Sequence, residues 1–97
     1  MAVEIKHVPG KKKNCKVMIY ALSTCGWCKK TKQMLKDGEV EYFYIDVDLV
    51  TGTEDKRKVV EEMKKWNPFK SFPTIVIDDK ECIMGFDEEK LRKVIDK

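Results

Sequence analysis

"STCGWCKK" occupies residues 23–30, and its two cysteines, Cys25 and Cys28, are separated by Gly26 and Trp27. This spacing can ligate a metal, cycle between dithiol and disulfide, or do neither, and the flanking segments bear on which. Before it, residues 16–22 (KVMIYAL) form a short, almost continuous apolar run, as in a strand buried on both faces. After it, residues 28–38 place Cys28, Thr31, Met34 and Leu35 on one helical face, lysines on the other and Gly38 at the stop. The motif therefore falls at a strand-to-helix junction, with Cys25 at the carboxyl end of the strand.

Working outward, residues 41–47 (EYFYIDV) are aromatic and β-branched and predict a second strand. "TGTED" reads as a loop with Thr53 as N-cap of a helix over 54–66, which carries Val59, Val60, Met63 and Trp66 at helical spacing. Asn67-Pro68 ends that helix, because proline disfavours helix in the residue before it. Residues 72–77 (FPTIVI) form a third strand. Asp78-Asp79-Lys80 turns it into a short fourth (ECIMG), and Asp87 caps a last helix bearing Leu91, Val94 and Ile95. The order is β-α-β-α-β-β-α. A helix between the first two strands requires a parallel crossover, and the short turn near Asp79 an antiparallel hairpin. The expectation is an α/β fold with a four-stranded mixed sheet and helices on both faces. In such sheets sites lie beyond the carboxyl ends of parallel strands. Residues 1–14 read as a loosely held N-terminal extension and 15–97 as a single domain.

Composition excludes several classes. The chain has 97 residues, 42% hydrophobic and 38% charged, ordinary for one soluble domain. Its net charge of +3 is scattered apart from Lys11-Lys12-Lys13, and no interleaved aromatics make that run a nucleic-acid patch. No apolar run spans a bilayer, and the N-terminal residues lack a signal peptide's apolar segment. A cytoplasmic location without membrane contact is expected. In a reducing cytosol four cysteines are free, catalytic or metal-bound rather than structural disulfides.

Disulfide exchange needs a thiolate. A helix N-terminus carries partial positive charge and free N–H groups, and such placement takes a cysteine below its free pKa of about 8.5. Cys25 stands where that effect is strongest. Cys28 lies one turn inside, on the face that packs inward. The asymmetry predicts that Cys25 attacks a substrate disulfide and that Cys28 resolves the mixed disulfide. Lys29 and Lys30 read as part of a solvated face. Pro73, at the start of a strand, has no N–H to give to the ladder.

With these residues in view, the chain resembles a glutaredoxin-like protein of the thioredoxin superfamily over roughly residues 16–96. The resemblance rests on Cys25-Gly26-Trp27-Cys28 after the first strand, Phe72-Pro73-Thr74 before the third and Gly85-Phe86-Asp87 before the last helix. It implies a thioredoxin/glutaredoxin fold and a thiol–disulfide oxidoreductase. It implies a cis Pro73 facing the dithiol and a Phe72 backbone that pairs with the substrate chain. Trp27 and Thr74 join that substrate surface, and Gly85, Phe86 and Asp87 match the turn that holds the γ-glutamyl end of glutathione.

Gly26 and Trp27 stand where glutaredoxins commonly have Pro and Tyr. Ala21-Leu22-Ser23-Thr24 carries no lysine before the first cysteine, and Met84-Gly85 replaces the usual Gly-Gly. These departures predict poor turnover with glutathione. They favour protein disulfides as substrates and a dedicated disulfide reductase as partner, as in small glutaredoxin-shaped redoxins served by a thioredoxin-type reductase. No cofactor beyond the Cys25–Cys28 disulfide and no metal are expected in the monomer. The alternative is a dimeric glutaredoxin carrying an iron–sulfur cluster, a role some members take when the motif lacks proline. Cys15 and Cys82 are expected to do nothing chemical, Trp66 to pack in the core, and His7 to have no catalytic role.

Overall fold

The computed structural model describes residues 5–69 and 71–96. Five strands form one sheet: β1 (Lys6–Val8), β2 (Val17–Ala21), β3 (Tyr42–Asp46), β4 (Thr74–Ile77) and β5 (Glu81–Met84). Their order is β1-β3-β2-β4-β5. Three helices accompany them: α1 (Gly26–Asp37), α2 (Thr53–Trp66) and α3 (Glu88–Ile95). β2 and β3 are parallel, with Ala21 opposite Asp46, and β4 runs antiparallel to β2 with Thr74 opposite Tyr20. The carboxyl ends of β2 and β3 and the start of β4 therefore share one edge of the molecule. No helix among the described residues is long and apolar enough to cross a membrane.

The β-α-β-α-β-β-α order holds for residues 17–95, but the sheet has five strands rather than four. Lys6–Val8, expected as loosely held extension, pairs antiparallel with β3. His7 stacks on Phe43 at 4.5 Å between ring centroids, and its Nε2 lies 2.8 Å from Glu41 Oε1. A three-residue strand with a polar face carries too little alternation to be read from sequence, and the open edge of β3 supplies the reason it forms. Gly10 keeps the following segment close: a Cβ there would lie 2.6 Å from the Glu39 carbonyl oxygen.

Side-chain alternation divides the core. Val17, Ile19, Ala21, Ile75, Ile77 and Ile83 face α1 and α3, where Cys28, Leu35, Leu91 and Val94 meet them. Tyr20, Ile45 and Val76 face α2, where Val59 and Met63 meet them, with Trp66 packed at the margin. Thr53 does not cap α2. Gly52 takes that position with φ of 87°, a turn that needs no Cβ, and Thr53 opens the helix itself. The β4–β5 turn has positive φ at Asp78 and Asp79, the backbone of tight hairpin turns.

Candidate redox site

Cys25 is the N-cap of α1, with extended backbone at φ −84° and ψ 117°. Its Sγ accepts the Cys28 backbone N–H at 3.2 Å, so the sulfur replaces the oxygen that usually caps a helix. A negative charge on that atom meets the positive end of the helix dipole. Cys25 is half-buried, whereas Cys28 is fully buried. Burial, together with the neighbouring Cys25 thiol, pushes the Cys28 thiol up to about 12, against a hydrogen bond with the Leu22 backbone and the charge of Lys32. One sulfur is thus accessible at a helix end, and the other is held neutral behind it.

The three segments singled out in the sequence converge on this dithiol. The Phe72–Pro73 peptide is cis, and the β2–β4 register puts Pro73 level with Ala21, where β2 ends. The Pro73 carbonyl accepts the Gly85 N–H at 2.8 Å. Gly85, at φ 78°, turns the chain so that Phe86 stacks on Trp27, with ring centroids 5.3 Å apart. Phe72 is half-buried and touches both core clusters. Two expected substrate contacts are engaged internally. Thr74 is fully buried and donates its hydroxyl to the Ser71 carbonyl at 2.8 Å. Asp87 caps α3 by accepting the Lys90 N–H at 3.1 Å.

Several contributors escaped the sequence reading. The Lys30 ammonium lies 5.4 Å from the Trp27 ring centroid and 5.5 Å from that of Phe86, so this lysine covers the stack rather than only facing solvent. The i, i+3 spacing of Trp27 and Lys30 was the available signal. Asp48, in the 3-10 turn Val47–Leu49, accepts the Ser23 N–H at 2.8 Å and the Ser23 hydroxyl, which hold its carboxyl below the usual range. This clamp fixes the loop two residues before Cys25. Buried Asn67 reaches the Ser71 hydroxyl at 2.8 Å and the Thr74 hydroxyl at 3.0 Å, and accepts the Phe69 N–H. It braces the loop leading to Pro73. Lys32 pairs with Asp46 at 3.2 Å and sits 3.8 Å over the Tyr44 ring. Lys29 is exposed, and Lys70 lies outside the described residues.

Cys15 is buried in the α1/α3 core and Cys82 half-buried on β5. No cluster of three or more potential metal ligands occurs among the described residues.

A family model described as glutaredoxin matches residues 17–82. The chain belongs to the glutaredoxin family. Among curated proteins it is similar to an uncharacterized glutaredoxin-like 8.6 kDa protein in the rubredoxin operon of Clostridium pasteurianum. The two are 36% identical over 81 residues, which is 84% of this chain and 99% of the relative. Among solved structures, a glutaredoxin from Methanosarcina mazei Go1 is 43% identical with a TM-score of 0.83, covering 94% of this chain and 86% of that one. Methanosarcina acetivorans methanoredoxin is 41% identical with a TM-score of 0.77, over 82% and 83% of the two chains. With the Cys25/Cys28 pair in place, the general chemistry of this glutaredoxin is thiol redox exchange.

Proposed function

We propose that the protein reduces protein disulfides through a Cys25/Cys28 dithiol cycle. The observation that carries this reading is the inequality of the two sulfurs, one at a helix N-cap and half-exposed, the other buried one turn behind. The Cys25 thiolate attacks one sulfur of the substrate disulfide. A Cys25–substrate bond forms, and the other substrate sulfur leaves as a thiolate and takes up a proton. Cys28 then gives up its proton and attacks Cys25 Sγ. The substrate leaves with the electron pair, and Cys25–Cys28 remains as the disulfide.

Large apolar side chains around the site support a protein substrate. Trp27, Leu49, Phe69 and Met84 are 57%, 59%, 81% and 52% exposed. All four sit on segments at the edge where β2 and β3 end and β4 begins. Large apolar side chains exposed along one edge suit contact with a protein rather than a small substrate.

A Cys28→Ser variant should trap mixed disulfides with substrate, while Cys25→Ser should trap none. Trapping by Cys25→Ser alone would reverse the roles. An as-isolated brown protein would instead favour cluster carriage, whereas a colourless one with two titratable redox-active thiols fits the dithiol cycle. For the electron donor, the segment before Cys25 offers no cation to a glutathione carboxylate. A charge-assisted contact contributes about 1.5–3 kcal/mol. Turnover of a model disulfide should therefore be slower with glutathione than with a dedicated disulfide reductase at matched concentration. Efficient, saturable glutathione-dependent turnover would overturn that assignment.

A further inference from the structure

Lys32 has an unusual position for a lysine on a lysine-rich helix. Its side chain is 19% exposed and that of its partner Asp46 12%, while every other acid–lysine pair among the described residues includes a side chain at least half exposed. The ammonium is pinned from two sides, by Asp46 Oδ1 at 3.2 Å and by the Tyr44 ring at 3.8 Å. Both partners project from β3 into the layer beneath α1, and Asp46 lies beside Ala21 at the end of β2. Lys32 is also one helical turn beyond Cys28, and residues four apart on a helix are surface neighbours.

A buried pair of this kind is weak evidence for stability, because desolvation offsets most of the attraction. It does hold a positive charge one helical turn beyond the sulfur that must ionise in the second half of the cycle, near enough to favour its thiolate. We propose that Lys32 is a positioning residue for that half-reaction: its ammonium, tethered by Asp46 and Tyr44, stabilises the Cys28 thiolate as it attacks the Cys25–substrate disulfide. This rests on the dithiol reading above.

The chemistry at Cys28 explains why such help matters. Two of the influences holding this thiol up come from Cys25 itself, through its hydrogen bond and its charge. Once Cys25 is joined to substrate it carries no charge, and both effects fall away. Burial is then opposed by the Leu22 backbone and by Lys32, the one charged side chain among the causes that favour the thiolate. The balance is unchanged from the cycle above: Cys28 loses its proton, the Cys28–Cys25 bond forms as the Cys25–substrate bond breaks, and the departing substrate thiolate gains a proton from solvent. Among the described residues, the other titratable groups facing this layer are Cys15, Cys25, Tyr42, Tyr44 and Asp46.

The test uses the symmetric disulfide of thionitrobenzoate, which releases one coloured thiolate on attack by Cys25 and a second on resolution by Cys28. In stopped-flow mixing, Lys32→Met should leave the first release within about twofold. It should slow the second by about three- to tenfold and move its pH midpoint upward. Lys32→Arg should restore both. Because Lys32→Met strands the Asp46 carboxylate, Lys32→Met/Asp46→Asn is measured beside it and should show the same slowed second release. An unmoved second release and pH profile in both variants overturns the inference alone. So does slowing of both releases in parallel with lost helix content, which would mark Lys32 as purely structural. Absence of the first release in the unsubstituted protein overturns the dithiol reading itself.

Discussion

The two faces of the sheet do different work. Beneath α1 and α3, Val17, Ile19, Ala21, Cys28, Leu35, Ile75 and Leu91 are completely sealed from solvent. Beneath α2 the core is thinner, with Tyr20, Ile45, Val47, Val59, Met63 and Val76 as its buried members among the described residues. That face also leaves a cavity of about 580 Å³ beside Met18, Phe43 and Val59, reaching Ile5. The sealed face carries Cys28, the Lys32–Asp46 pair and the helix whose end holds Cys25. Exchange between two sulfurs requires their separation and angle to be fixed by what lies under the helix, and close packing supplies that. The looser face holds no sulfur of the motif and has no such demand.

Leu35→Ala is the sharpest way to break this contrast. On the sealed face it should cost about 2–5 kcal/mol, because the cavity left behind cannot collapse. Met18→Ala, half-buried beside an existing cavity, should cost about 1 kcal/mol or less, toward the low end for side chains that are only partly enclosed. Urea unfolding of both variants decides it, and equal losses would remove the distinction between the faces.

Next in size is Asn67→Ala. It leaves the Thr74 and Ser71 groups short of a partner and should cost about 1–3 kcal/mol. It should also weaken binding of a protein disulfide more than reaction with a small one, since the loop it braces carries Phe72 and Pro73. Equal effects on both substrates would mean that the loop does not meet the partner.

The helices were legible because each repeats a period: Cys28, Thr31 and Leu35 on α1, Val59 and Met63 on α2, Leu91 and Val94 on α3. Four of the strands were legible as short apolar or aromatic runs bounded by turns. The convergence of Cys25, Pro73 and Gly85-Phe86 followed from a family resemblance, not from periodicity. What stayed hidden has no period. β1 is three residues long, two of them polar, and its pairing depends on the free edge of β3. Lys32, in a helix with lysines at 29, 30, 32 and 36, is indistinguishable from its neighbours until Asp46 and Tyr44 are brought against it. Asn67 read as a helix terminator, which it is, while its role as a buried brace depends on Ser71 and Thr74 folding back onto it.

A pH measurement sharpens the contrast between the sulfurs. Burial pushes the Cys28 thiol up to about 12 in the fold, well above a free thiol. A raised acid favours the folded state while it stays protonated, so its contribution is complete below about pH 9 and is lost as pH rises toward 12. The dithiol form should therefore lose stability across that window faster than the disulfide form, which has no Cys28 proton to lose. Parallel curves for the two forms would show that the Cys28 thiol is not raised in the fold. The smallest effect expected is from Gly26→Pro. A Cβ at Gly26 meets nothing within 4 Å, Gly26 is the first helical residue, and Cys25 already has the extended backbone that precedes proline. The variant should gain about 0.4–1 kcal/mol by restricting the unfolded chain. A loss would show that the Gly26 N–H or its freedom is needed.

The central claim is that one sulfur is the nucleophile and the other is held in reserve. The direct measurement is alkylation of the reduced protein with iodoacetamide at mildly acidic pH, quenched at intervals and located by mass spectrometry. The account predicts that label appears at Cys25 first, with Cys28 unmodified until much later. Label appearing first at Cys28, or at both at the same rate, would contradict it.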